Sequence, residues 1–207
     1  MNLHLKVMVV LFIGFSAIAD AASNLPIHHP LRADRVAIER PNSSRQFSYN
    51  VEKKFQGISD RFGSGDLVGA MESLESMLGW NISKYERAVV YQFMGFIFVQ
   101  QDKIDEAIKV FKQVVDLDVL SNSQHQSTQF NLASLYGSQE RWDLAIETLM
   151  TFFKFEKEPV SESYIMTGIA YFQKGQPLEA LPYIHIANVK AISQKKRGCS
   201  LSLLFYF

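Results

Sequence analysis

A small residue returning at a fixed interval restricts how a chain can fold more than any isolated motif, and here alanine does so. Ala70, Ala107, Ala145 and Ala180 recur at intervals of 37, 38 and 35 residues. Each lies in a stretch whose apolar residues are three and four apart, the spacing of one helix face. A period of this size belongs to stacked helix pairs, in which no pair can bury its apolar side alone and each must be covered by a neighbour.

Other positions recur in step. Four residues after the alanines come Leu74, Phe111, Leu149 and Ile184, one turn along the same face. Twelve residues before the last three alanines stand Gly95, Ala133 and Gly168, small enough for two helices to approach closely, and nine before them Phe98, Tyr136 and Tyr171 fill the adjoining space. The polar stretches Gly65-Asp66, Gln101-Asp102-Lys103, Gln139-Glu140-Arg141 and Lys174-Gly175-Gln176-Pro177 precede the alanines, where the two helices of a pair reverse. In the first unit Ile58 and Arg61 replace the small and aromatic residues, which marks a degenerate or capping repeat. The expectation is an all-α right-handed superhelical solenoid of antiparallel helix pairs, about four repeats, over residues 51–192. Pro177 suits a first helical turn, whereas Pro182 is expected to bend or fray the last helix.

The ends read differently. Residues 1–22 carry Lys6, an apolar run from Val7 to Ile18 and small residues at Ala17, Ala19, Ala21 and Ala22, the layout of a secretory signal cleaved between Ala19 and Ala22. The run is shorter than the roughly 20 residues that span a bilayer and ends at Asp20, so membrane association is expected only through partners. Residues 23–50, with Pro26, Pro30, Pro41, His28-His29 and Asn42-Ser43-Ser44, read as a flexible extension. Residues 193–207 form an atypical tail in which Lys195-Lys196-Arg197-Gly198-Cys199 precede Leu201, Leu203, Leu204, Phe205, Tyr206 and Phe207. It reads as a docking tail, a sticky strand-like end, or the end of a longer array lost to truncation or a shifted frame; the last is favoured, and poor solubility is expected from it.

Charge excludes several function classes. Lys plus Arg and Asp plus Glu number 21 each, leaving no field to gather nucleic acid or an anionic membrane. Cys199 is the only cysteine, so packing rather than internal disulfides must hold the fold. His28 and His29 diverge on any regular backbone and have no partner at metal-ligand spacing; His125 is assigned to an inter-repeat loop and His185 to the last helix, each a solvated or packed histidine. Ser121, Ser123 and Ser127 are loop and capping residues, and Trp142 opens a second helix as a partly buried packing residue. No nucleophile elbow, phosphate-cradling loop or zinc-protease helix occurs, so the reading is a non-enzyme with no catalytic residue, metal or cofactor.

The repeat positions carry a resemblance. One unit reads Tyr91, Met94, Gly95, Phe98, Ala107 and Phe111, the next Leu132, Ala133, Tyr136, Ala145 and Leu149, and the last Tyr164, Thr167, Gly168, Tyr171, Ala180 and Ile184. These sets resemble the tetratricopeptide repeat from about Val51 to Val189. With Asp118-Val119-Leu120, His125, Asn131-Leu132-Ala133 and Trp142, the chain is similar, over about Phe47 to Ile192, to exported tetratricopeptide proteins associated with TonB energy-transduction systems of Gram-negative bacteria. The resemblance implies a periplasmic adaptor in iron-complex uptake that binds other proteins. Those relatives are longer and carry further repeats. A periplasmic scaffold for cell-envelope assembly is a second reading, and the helical regulatory part of an exported enzyme is a reading from another class.

In such a stack the first helices line the concave side. The residue after the small position points into it, at Ser59, Phe96, Ser134 and Ile169, with Phe55, Gln92, Phe130 and Ile165 one turn before and Phe62, Val99, Gly137 and Phe172 one turn after. The expected groove is lined by Phe55, Phe62, Phe96, Phe130 and Phe172 and flanked by Gln92, Gln100 and Gln173. Aromatic anchors beside amides suit an uncharged or amphipathic segment of another protein. The alternative is that these rings are core, covered by the extension or a further helix.

Overall fold

A computed structural model describes residues 25–32, 34–38 and 46–196. The predicted signal, the Asn42-Ser43-Ser44 run and the tail from Arg197 lie outside the described residues. Among those described there are eight α-helices and no strand: α1 Tyr49–Gly63, α2 Leu67–Leu78, α3 Lys84–Gln100, α4 Ile104–Leu117, α5 Asn122–Ser138, α6 Trp142–Phe155, α7 Ser161–Gln173 and α8 Pro177–Lys196. No helix among them is long and apolar enough to cross a membrane. The fold is all-helical and built from tetratricopeptide-like helix pairs, as the period required. The described residues fall into two compact units, one from 46 to 152 and one joining 25–38 to 153–196.

The periodicity is written in the backbone as well as in the alanines. In each of four turns an amide bonds the carbonyl five residues earlier: Asp66 to Arg61, Lys103 to Phe98, Arg141 to Tyr136, and Gln176 to Tyr171. This closure needs one left-handed residue just before the donor or the residue preceding it. Gly65, Asp102, Glu140 and Gly175 provide it, with φ of 83°, 57°, 56° and 81°. Two of the four turns therefore place a side chain where glycine would be unstrained.

In the first unit Ile58, Ala70, Leu74, Met77, Val90, Ile97, Ala107, Phe111, Val114 and Leu120 are fully buried. Gly95 is required by close approach: a Cβ there would meet the Phe111 ring at 2.6 Å. Helix starts are fixed locally. The Asp66 carboxylate accepts from the Gly69 amide at 2.9 Å, and Ser83 with Glu86 and Ser121 with Gln124 form reciprocal capping boxes on α3 and α5.

Glu86 does more than cap α3. Its Oε2 accepts from the Ser83 amide at 2.7 Å, while its Oε1 accepts from the Ser48 amide and hydroxyl at 2.7 and 2.8 Å. Ser48 is the N-cap of α1, so one buried carboxylate serves two helix starts. Burial alone would raise its pKa, yet the bonds from Ser48 and Ser83 overcome this and hold it at about 2.

In the second unit Tyr171 stacks on Tyr183 with centroids 5.3 Å apart, and Gly168 lies against Ile184. The helix α8 continues through Pro182, so the expected fraying does not occur. The described part of the stretch before α1 contacts α6. Arg35 donates to the carbonyls of Phe153, Glu156 and Lys157, closing the unpaired carbonyl end of α6, and the Ile38 amide donates to Lys154 at 2.7 Å. The guanidinium also bonds the buried Tyr164 hydroxyl, opposing the upward push of burial on its pKa. One arginine fork thus joins a segment without helical period to α6, a contact no local pattern announces.

Candidate partner-binding face

The first unit contributes three first helices, α1, α3 and α5, and the predicted rows separate on them. The row that follows the small position is exposed as expected at Ser59, Phe96 and Ser134. Val99 and Gln100 are exposed at the end of α3, while Phe62 and Phe130 are half-buried. Two assigned groove residues are core instead: Phe55 is 7% exposed and Gln92 is buried. They lie in the seams between successive first helices. Gln92 Nε2 donates to Thr128 Oγ1 across the α3–α5 seam at 3.0 Å, and the Phe55 ring meets Phe93 edge-on at 5.3 Å across the α1–α3 seam. A four-residue step leaves a helical residue about 40° away from its predecessor, enough to move these side chains from the open face into the joint.

The rings form a continuous series. Phe47 stacks on Phe55 at 5.2 Å, Phe93 meets Phe96 at 6.5 Å, and Phe96 meets the buried Phe111 at 5.6 Å. Phe96 is therefore the outward end of an aromatic ladder rooted in the core, a rigid anchor with little entropy left to lose. Phe130 rests on Phe152 at 6.0 Å. Sequence spacing missed Phe93 and Phe47, because both fall off the repeated register; their signal was only the density of phenylalanine around α3. The open row of the first unit, Ser59, Phe62, Phe96, Val99, Gln100 and Ser134, carries no charge. Cations gather elsewhere: Lys53 and Lys54, with Asn50 and Trp80, line an open cavity of about 480 Å³.

In the second unit Phe172 is 64% exposed, and Ile169 and Gln173 are exposed with it at the end of α7. The structural positions Ala70, Ala107, Ala133, Tyr136, Ala145, Gly168 and Ala180 are buried, and Tyr171 is half-buried against Tyr183. Trp142 is half-buried over Gly137, and Arg141 lies 5.0 Å above the Tyr136 ring. His125 departs from its assignment: it belongs to the first turns of α5 and is buried, with Nδ1 3.7 Å from the Asp118 carboxylate. The left-handed Asp118 ends α4 and brings the next helix start close enough for this contact.

Residues 83–118 match the tetratricopeptide repeat family. These residues contain the pair α3 and α4, the unit whose Gly95, Phe98, Ala107 and Phe111 keep the repeat pattern most fully. Solved structures share the helix-pair fold over 71 to 93% of the chain. A crystal structure of MamA is 25% identical with a TM-score of 0.59, covering 71% of this chain and 81% of that one. Another MamA structure, MSR-1, is 21% identical with a TM-score of 0.57, covering 72% and 82%. A Podosopora anserina putative kinesin light chain with nearly identical TPR-like repeats is 15% identical with a TM-score of 0.56, covering 93% and 90%. No curated protein sequence matches the chain. The likeness to the tetratricopeptide repeat therefore rests on one matched unit and on a shared fold.

Proposed function

We propose that the chain is a binding scaffold that holds an uncharged or amphipathic segment of another protein on the open face of its first helices. The observation that carries this reading is Phe96, solvent-facing yet braced by Phe93 and the buried Phe111, beside the exposed Val99 and Gln100 on a face without charge. Rigid aromatic anchors of this kind dominate binding energy in protein interfaces. The chain acts by position alone, with no catalytic step.

The finer reading is an exported, periplasmic accessory of a TonB-dependent iron-uptake system. It rests on the signal-like residues 1–22 and on the resemblance carried by Asp118-Val119-Leu120, His125, Asn131-Leu132-Ala133 and Trp142. A photo-crosslinking residue at Val99, used in the native cell with and without Phe96→Ala, tests both levels. Capture of a component of the TonB-type energiser that is lost with Phe96→Ala is the expected result. Capture indifferent to Phe96→Ala overturns the face, and a mature protein that retains residues 1–22 in the cytoplasm overturns the location.

A further inference from the structure

The cavity of about 480 Å³ in the first unit lies outside the partner-binding reading, and its lining has a chemistry of its own. Asn50, Lys53 and Lys54 of α1 form one wall and Trp80, just past the end of α2, forms the other. The volume is in the range of small-molecule sites. Asn50, Lys53 and Lys54 share a wall because residues three and four apart on a helix stand one above another. Gly57 continues that row without a side chain, and open space surrounds the place a Cβ would take. The α1–α2 hairpin returns Trp80 to the start of α1, where its backbone is fixed on both sides: the amide donates to the Met77 carbonyl at 3.0 Å and the carbonyl accepts from the Ile82 amide at 2.9 Å. The Trp80 side chain is left 38% exposed.

Every polar side chain of this lining can donate a hydrogen bond, and only the Asn50 amide can also accept one. Lys53 and Lys54 form no ion pair with a carboxylate among the described residues. Glu52, the acid of the first turn of α1, lies about 160° around the helix from Asn50. The sequence just before α1 does not supply the missing charge either, since residues 39–45 bring Glu39 together with Arg40 and Arg45. The apolar part of the lining is an indole and two lysine stems. We propose that this cavity binds a small oxyanion carried on a flat apolar ring, with the anion taken by Lys53 and Lys54 and the ring laid against Trp80. A polyanion would need a longer basic track than two lysines, and a bare anion would make no use of the indole.

Fluorescence of the full chain carrying Trp142→Phe tests the site, because Trp80 is then its only indole. Titration with phenyl phosphate is expected to shift the Trp80 emission saturably, and inorganic phosphate and phenol are each expected to bind at least about tenfold more weakly. Lys53→Gln combined with Lys54→Gln should lower the affinity for phenyl phosphate by about tenfold or more while helicity is unchanged. A titration that does not saturate overturns the proposal. Equal binding of phenol overturns it by showing an apolar recess alone, and equal binding of inorganic phosphate by showing a cation pair alone. Binding indifferent to the two lysine substitutions places the probe elsewhere and overturns it as well. Phe96→Ala should leave the titration unchanged, so failure here and failure of the Phe96 face are distinguishable.

Discussion

Replacing Glu86 with glutamine should remove a stabilisation that has a definite pH signature. The carboxylate is 3% exposed and accepts from the amides of Ser48 and Ser83 and from the Ser48 hydroxyl. Its pKa falls from 4.5 to about 2, and each unit is equivalent to about 1.36 kcal/mol, so the charged form supports the fold by about 3 kcal/mol. The sign follows from linkage. Because the folded value is the lower one, the contribution is complete above pH 4.5 and is lost as pH falls towards 2.

Glutamine at position 86 turns an N–H towards one of the serine donors and carries no charge to answer either helix start. Urea unfolding of wild type and Glu86→Gln at a series of pH values isolates this group, because other carboxylates titrate alike in both proteins and cancel in the difference. The difference should be flat above about pH 5, near 3 kcal/mol, and shrink towards zero by about pH 2. Two curves that stay parallel across that window would refute the assignment of the depressed titration to Glu86, and with it the claim that one carboxylate ties α1 to α3.

Other substitutions test the packing and the seams. Gly95→Ala should cost about 1–3 kcal/mol in urea unfolding, since the new methyl group meets the immovable Phe111 ring, whereas Gly168→Ala should cost less because the end of the partly exposed Ile184 can swing aside. Glu140→Gly should raise stability by about 1 kcal/mol by relieving a left-handed side chain, read as a higher melting temperature. Arg35→Ala should speed hydrogen exchange at the Ile38 amide as the extension leaves α6, and Arg35→Lys should not restore protection because an ammonium cannot span three carbonyls in a fork. Across the α3–α5 seam, Thr128→Val should cost about 1–3 kcal/mol by stranding the buried Gln92 amide. Gln92→Leu should cost less, because the Thr128 hydroxyl still donates to the Gln124 carbonyl at 2.8 Å; the reverse order in denaturant midpoints would show that the bond runs otherwise.

The fold was legible because small residues and closing turns repeat together, and every alanine of the series is buried where the period put it. The open row was legible at Phe96, Val99, Gln100 and Phe172 for the same reason. Phe55 and Gln92 were misplaced because a register states which way a side chain leaves its helix but not how near the next helix stands. His125 was placed in a loop because its surroundings, rich in serine, asparagine and glutamine, resemble a linker; the Ser121–Gln124 box instead starts α5 within that polar run. The docking of Arg35 on α6 joins residues far apart in sequence, and periodicity is silent on contacts outside the repeat.

Positions that keep the period explain why the helices stack, and for that reason they cannot say what this particular array binds. Gly95, Ala107 and Phe111 would pack in much the same way in any chain built on the repeat. What distinguishes one helix pair from the next lies where the register is kept and the chemistry changes. The seam row reads Phe55, Gln92, Phe130 and Ile165, so only one of its residues can bond Thr128, which fixes α3 beside α5. The open row reads Ser59, Phe96, Ser134 and Ile169, which gives the first unit one aromatic anchor between two small polar residues. Each change sets a residue against the rule its neighbours follow, and departures of that kind concentrate where a fold meets something other than itself. By that argument the proposed binding of a partner is to be sought first at the Phe96 face, where Phe96→Ala should remove it while the repeat packing stays intact.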